Sequence, residues 1–442
     1  MKYYIFLLIV FTFWYSQSQN YIGLNTDNYS GIYTLTYNPA NVVSSKYRTD
    51  INIFAVSSFA GSDYFDINIS DLSNIGDDFD FEDDIVTSPS DNNNFFVNAD
   101  IMLPSFMMNL SDKSSIGLLL RLRAFANVRD INGVLFENLV NDFDDGEDFD
   151  FQSQNLATVN HAWGEIGLTY GRILIEKPKH MLSGGATFKY LMGAGVTYAN
   201  TPDLTGNYEA ATETLTTNGF LNYGSNIDID EDFDFSFEDS PSGFGLDIGF
   251  NYEYHPDREE NDGLKHYQSN YKFKISASVT DIGSISYENS TVYSYDMNDS
   301  VSVSDIGDIR DFLDESYKSE ETSSNIKINL PTAFHLMFDY RLTSKWLLNA
   351  QANLSLVGDD QLQSNNIINT YTLTPRYQTR VFSFLTPVSI REHGDFAWGA
   401  GIRLGPFTVG SGSVFSNLLS DNSQTTDVFV GFKVPIYRKK NS

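Results

Sequence analysis

The chain has 442 residues, no cysteine, and 58 acidic against 28 basic residues, a formal net charge of −30. Without cysteine there is no disulfide, thiolate metal site, cysteine nucleophile or lipidated N-terminal cysteine, and so acidic a chain lacks the basic footprint of a nucleic-acid binder or a polybasic membrane anchor. Hydrophobic residues at 41% and a mean hydropathy of −0.26 are low for a helical membrane protein, whereas 14% aromatic residues suit strands and interfacial girdles.

At the N-terminus Lys2 precedes an apolar run over residues 3–15, followed by Ser16-Gln17-Ser18. A short apolar core closed by small residues two apart predicts a secretory signal peptide cleaved near residue 18 or 19, and the run is shorter than the ~20 residues of a spanning helix. No later segment is an uninterrupted apolar helix, so a membrane-spanning mature chain has to be a closed barrel. The expected organisation is a signal at 1–19, an N-terminal segment at 20–47 and a barrel at 48–442.

Residues 20–47 do not alternate, and they contain Asn28-Tyr29-Ser30-Gly31 and Tyr37-Asn38-Pro39-Ala40. Proline after Asn38 favours a turn and blocks ladder pairing there. Two placements fit: a plug folded into the lumen, with Asn38, Pro39 and Ala40 as its motif, or a periplasmic lead-in tied to the wall. The Tyr37–Ala40 motif followed by Tyr47-Arg48-Thr49-Asp50-Ile51-Asn52-Ile53 resembles a Bacteroidota outer-membrane family catalogued as a domain of unknown function. More distantly, the Asn-Pro-Ala turn with about fourteen strands is similar to FadL-type fatty-acid transporters. That resemblance implies an N-terminal segment that plugs the lumen and moves to admit hydrophobic substrate, although the glycine-rich stretch usual before the motif is lacking here.

Alternating segments follow throughout. They predict strands at about 50–70, 95–109, 115–128, 157–175, 181–200, 242–255, 270–283, 325–342, 345–358, 370–384, 387–393, 395–404, 407–417 and 425–437. The clearest pair spans 331–356: Phe334, Leu336, Phe338, Tyr340 and Leu342 share one face, and Trp346, Leu348, Ala350, Ala352, Leu354 and Leu356 continue it after a turn at 343–345. Successive strand side chains point to opposite faces, so this is a hairpin with one apolar and one mostly polar side. Each arm suffices to cross a bilayer, which takes roughly 9–11 tilted residues. Short turns at 111–114, 176–180 and 343–345 alternate with long polar connections at 72–94, 131–156, 201–241, 284–325 and 358–370. The expected fold class is therefore all-β, a transmembrane antiparallel barrel of about fourteen strands within a range of 12–16.

The polar faces give the lumen-lining candidates: Arg121, Arg123, Glu165, Lys189, Asp247, Glu253, Lys272, Lys274, His335, Asp339, Arg341, Asn349, Gln351, Asn353 and Arg403. Two roles are open to them, mutual pairing that braces the barrel or selection in a pore. The tetrapeptide Asp-Phe-Asp-Phe recurs at 78–81, 148–151 and 232–235, each in a predicted extracellular loop. Its acids Asp78, Asp80, Asp148, Asp150, Asp232 and Asp234 could take Ca²⁺, bridge to lipopolysaccharide or dock a basic envelope partner. The plainer reading is that the acids keep the loops soluble while the phenylalanines pack loop against loop. An EF-hand does not fit, because Phe143 and Gln152 would fall on ligand positions.

Histidines at 161, 180, 255, 266, 335 and 393 show no metal-ligand spacing, no local motif marks a nucleophilic serine, and the glycines of 243–249 open no helix. No catalytic residue and no resident cofactor or metal is expected. Two functions follow: an outer-membrane barrel handling a hydrophobic or small solute, contacting lipid and lipopolysaccharide, or a non-transport scaffold of a cell-surface or secretion assembly.

Overall fold

A computed structural model describes residues 21–65, 86–143, 146–227, 240–258, 270–304, 309–392, 395–420 and 423–438. The signal-like run, the repeats at 78–81 and 232–235, and His266 and His393 lie outside the described residues. Fourteen antiparallel strands close into a barrel. They are β1 (Tyr47–Ser62), β2 (Asn93–Met102 and Ser105–Asn109), β3 (Ser114–Ile131), β4 (Phe149–Glu176), β5 (His180–Glu209), β6 (Thr214–Ser225 and Ser242–Tyr254) and β7 (Phe273–Asp296). There follow β8 (Lys318–Asn329 and Ala333–Arg341), β9 (Trp346–Ser355), β10 (Thr370–Gln378), β11 (Phe382–Leu385 and Val388–Arg391), β12 (Asp395–Trp398 and Ala400–Leu404), β13 (Phe407–Ser411) and β14 (Thr425–Tyr437). β1 pairs with both β2 and β14, and that last pairing leaves no edge where the barrel closes. No described helix is long and apolar enough to cross a membrane.

The hairpin at 331–356 forms in the expected register, with His335 opposite Asn353 and Asp339 opposite Asn349. Leu336, Phe338, Trp346 and Leu356 are exposed on the outer face, while Ala333, Met337 and Leu347 are buried inside. Similar outward rows on other strands make an apolar belt: Ile166, Leu168 and Tyr170 on β4, Phe188 and Tyr190 on β5, Phe396 and Trp398 on β12.

Several expected boundaries are wrong, and for one main reason. β4 starts at Phe149, β5 runs on to Glu209, β7 to Asp296, and β8 starts at Lys318, so much of three expected loops is strand. Along β4 the outward row reads Asp150, Gln152 and Asn160 before it reaches Ile166, Leu168 and Tyr170. The inward row reads Phe151, Val159 and Trp163 before Glu165 and Thr169. Beyond the belt the outer face meets water and the inner face becomes the apolar one, so a search for outward apolar residues stops too early.

The upper inner faces pack two apolar clusters, one around Trp163, Tyr198 and Tyr287 and one around Phe151, Tyr208 and Tyr295. α2 (Gly133–Val140), capped by Asn132 through the amide of Leu135, and α3 (Ile309–Ser316) lie among these extensions. Strand 370–384 is also corrected: β10 ends at Gln378, residues 379–381 form the turn, and Pro387 interrupts β11 instead of opening it. Strand 407–417 ends at Ser411 and gives way to α4 (Val414–Leu419).

Candidate functional site

Residues 21–46 lie inside the barrel as two 3-10 turns (Leu24–Thr26 and Gly31–Thr36) and one helical turn, α1 (Asn41–Ser44). One side is apolar: Tyr21, Leu24, Ile32, Tyr33, Leu35, Val42 and Val43 pack on Ala55, Met102, Leu119, Ile173, Leu385 and Phe429 of the wall. Burying each such large side chain is worth roughly 1.5–3 kcal/mol.

The other side is hydrogen-bonded. Asn38 Nδ2 donates to the carbonyls of Phe250 (3.1 Å, β6) and Ala277 (3.3 Å, β7), and Asn38 Oδ1 accepts the amide of Ala40 at 2.8 Å. The wall opposite this turn is glycine: a Cβ on Gly249 would lie 2.2 Å from Asn38 Oδ1, and one on Gly185 would lie 2.6 Å from the Pro39 backbone. At the far wall Asp27 pairs with Arg403 at 2.7 Å, and Lys433 donates to Asp50 (2.8 Å) and to the carbonyls of Tyr29 and Ser30. Asp50 also accepts the amide of Ile32 at 2.9 Å. Asp27 lies outside the membrane-crossing strands. Burial raises its carboxyl pKa, and the Arg403 guanidinium, with hydrogen bonds from the Tyr29 amide and Ser383, more than offsets this, so it sits below the usual carboxylate value.

Midway up the lumen lies a buried charge network. Arg121 pairs with Asp100 and, at 2.6 Å, with Glu165; Arg123 pairs with Asp281 (2.8 Å) and Glu165 (3.4 Å). Lys189 bridges Asp247 (2.8 Å) and Asp281 (2.6 Å). Five of the candidates thus meet in one cluster, together with Asp100 and Asp281, which the sequence reading left out. Asp100 belongs to the inward row of β2 and follows from its alternation. Asp281 does not: a bulge opposite Asp247 breaks the period of two, and φ of 58° at Asp281 turns its carboxylate inward beside Thr280.

The remaining candidates are dispersed. Asp339 takes a two-pronged contact from Arg376 (2.6 and 2.7 Å) and one bond from Asn349. His335 bonds Thr280 and Asn353, each at 2.9 Å, and Gln351 donates to Asn353. Glu253 meets His255 at 3.0 Å, and Lys274 donates to Asn41 at 2.8 Å. Lys272 and Arg341 are rim residues and not lumen residues, because they fall at the ends of their strands. Lys272 Nζ sits 4.5 Å over the outward-facing ring of Tyr340, and Arg341 pairs with the exposed Asp257.

The one Asp-Phe-Asp-Phe repeat among the described residues, 148–151, buries Phe151 and packs Phe149 at its edge. Asp148 accepts the amide of Ala210 at 2.8 Å, and Asp150 points to solvent. Among the described residues no three His, Cys, Asp or Glu side chains converge as a metal site.

Above the charges, the connection at 356–369 folds into the mouth. Its Asn365 bonds His161 at 2.6 Å, and the backbone amide of Asn366 donates to Asn127 Oδ1 at 3.0 Å. Between this cover and the N-terminal segment lies a chamber of about 70 Å³, bounded by Ile22, Asn25, Tyr37, Arg123, Asp281, Pro331, His335, Gln351 and Ile367, among others.

A family model described as "Family of unknown function (DUF5723)" matches residues 39–412. No curated protein matches the chain. Among solved structures the chain is similar to a deltaS2S3 mutant of the TodX monoaromatic hydrocarbon channel, at 9% identity and a TM-score of 0.46, covering 92% of this chain and 94% of that one. It is also similar to a Pseudomonas aeruginosa FadL homologue (11%, 0.39, covering 91% and 92%) and to the Ralstonia pickettii toluene transporter TbuX (9%, 0.31, covering 92% and 94%).

Proposed function

The chain belongs to the family of unknown function DUF5723, and for this member we propose an integral outer-membrane barrel that passes a small solute when its N-terminal segment moves. The outward apolar belt supports insertion in a bilayer, since such a face has no partner in water. The observation that carries the proposal is the closed interior: residues 21–46 reach β1, β6, β7, β12 and β14 and leave a chamber directly above them. No solute crosses such a lumen unless the segment yields. The chamber wall mixes apolar groups (Ile22, Phe125, Pro331, Ala333) with polar ones (Asn25, Thr280, His335, Gln351), which suits a small solute with a polar group better than a long hydrocarbon.

Planar-bilayer recording of the chain and of a deletion of residues 21–46 tests this. The intact barrel should be silent and the deletion should conduct. A deletion that folds, as read by heat-modifiable mobility, and stays silent removes the gated passage. That result would favour a scaffold in a surface assembly, for which the β8 edge at 318–324, paired among the described residues with β7 alone, is the available docking strand.

A further inference from the structure

The chain carries a net charge of −30, yet its short-turn end is basic. The turns at 111–114, 177–179, 343–345 and 379–381 hold Lys113, Lys177, Lys179, Lys345 and Arg380 against a single carboxylate, Asp112. Beside them Lys113 and Arg258 share Glu176, and Arg341 takes Asp257. Lys272 and Lys345 form no ion pair among the described residues. Lys272 Nζ sits 4.5 Å over the ring of Tyr340 and donates to the Arg341 carbonyl at 3.0 Å, while Lys345 Nζ sits 5.9 Å over the ring of Tyr377. Both rings belong to outward rows, of β8 and β10, and they flank the exposed Trp346 of β9, which meets Tyr377 edge-on at 5.3 Å.

Above Trp346 and Leu348 the outward row of β9 becomes small. Ala350 lies between Phe338 of β8 and Leu373 of β10, and Ala352 lies between Leu336 and Tyr371. All four flanking side chains are exposed. Neighbouring strands are about 4.7–4.9 Å apart, so these flanks stand roughly 9–10 Å apart over a floor of two methyl groups. The outer wall thus bears an apolar furrow one strand wide. At its foot two cations without carboxylate partners stand on either side of an exposed indole.

We propose that this furrow seats one phospholipid of the leaflet at the short-turn end, an acyl chain lying along Ala350 and Ala352 and an anionic headgroup held by Lys272 and Lys345. The site goes beyond the passage reading and rests only on insertion of the barrel in a bilayer. A lysine stem runs from the edge of the belt to headgroup level without burying its charge. The tyrosine ring beneath each ammonium restrains it, while N–H donors remain for phosphate oxygens. Asp257, the exposed carboxylate nearest this edge, is already neutralised by Arg341 and does not repel an anion. A lysine at an anionic surface is worth about fivefold in affinity, so two should favour an anionic over a zwitterionic headgroup by roughly 25-fold.

Native mass spectrometry of the full-length chain, released from mild detergent, tests the site. Phosphatidylglycerol serves as the anionic probe, and phosphatidylcholine with the same acyl chains as the zwitterionic one. One phosphatidylglycerol should be retained in clear preference, and the double variant Lys272→Gln/Lys345→Gln should bring the two lipids level. Ala350→Leu raises the floor of the furrow without touching a charge and should weaken retention of both. Lys113→Gln removes a cation that Glu176 already neutralises and should change nothing. Each variant is first shown to be folded by heat-modifiable mobility. Equal retention of the two lipids by the unaltered chain overturns the site, as does a preference that survives the double variant or falls as far in Lys113→Gln. Unchanged retention in Ala350→Leu overturns the furrow as its seat. Insertion fails separately: a chain that does not float with lipid vesicles defeats the membrane reading, whereas one that floats without a lipid preference defeats only this site.

Discussion

Asp27 carries more of the N-terminal anchorage than its size implies. Its carboxylate and the guanidinium of Arg403 are both fully buried, so removing one charge leaves the other uncompensated in low dielectric. Asp27→Asn should therefore cost on the order of 3–5 kcal/mol, read as a lower urea midpoint for the folded barrel and as earlier protease cleavage within residues 21–46. The pH dependence has a definite sign. Because the folded carboxyl titrates below its unfolded value, the pair's contribution is complete above the unfolded pKa of about 3.9 and is lost as pH falls through the lower folded one. Protease resistance of the segment should thus hold at pH 5 and be lost only in stronger acid. Loss already at pH 5 would place the anchor elsewhere.

At the level of elements, the Asn38-Pro39-Ala40 turn and the glycines facing it form one joint. Proline fixes the turn, Asn38 supplies the donors, and Gly185 and Gly249 leave space where any Cβ would collide with the turn. Gly249→Ala puts a methyl group 2.2 Å from Asn38 Oδ1, closer than real contacts allow, so either the turn or the strand must move. The strand is held on both sides by its ladders with β5 and β7, so the turn should yield. The expected outcome is a folded barrel with unchanged heat-modifiable mobility that nevertheless conducts in planar bilayers. A silent Gly249→Ala barrel would mean that this joint does not hold the segment in place. The motif is visible in the sequence, but the glycine wall that receives it is not, because residues some 150 to 210 positions apart in the chain meet only on closure.

For the whole molecule, the decisive feature is the change of polarity along the tall strands. β4 has 28 residues; at roughly 3.3 Å each and a tilt near ~40° it rises roughly 70 Å, more than twice the ~30 Å of a bilayer core. Leu168 and Asn160 share its outward row, but only Leu168 lies in the apolar belt. Leu168→Arg should cost about 2–4 kcal/mol if it meets the middle of the bilayer, and Asn160→Arg about 0–1. Unfolding from lipid vesicles compares the two, and equal costs would put the membrane boundary in the wrong place.

The sequence by itself determined the class of fold, a count of about fourteen strands within 12–16, and which residues share the polar face of each strand. Those follow from a period of two, which is local: the 331–356 hairpin needs only its own residues to show which side is which. Tertiary structure alone decided three things. It showed that residues 21–46 lie within the barrel, because apolar and turn-rich segments of that length suit either a plug or a lead-in until the wall's glycines and carbonyls are seen. It brought Asp281 to Arg123 and Lys189 through a bulge that breaks the alternation. It also turned stretches expected as loops into wall, since above the belt water lies outside and the apolar side chains turn inward. A strand's periodicity records that it has two faces. Which face meets lipid, water or the interior depends on neighbours that are distant in the chain.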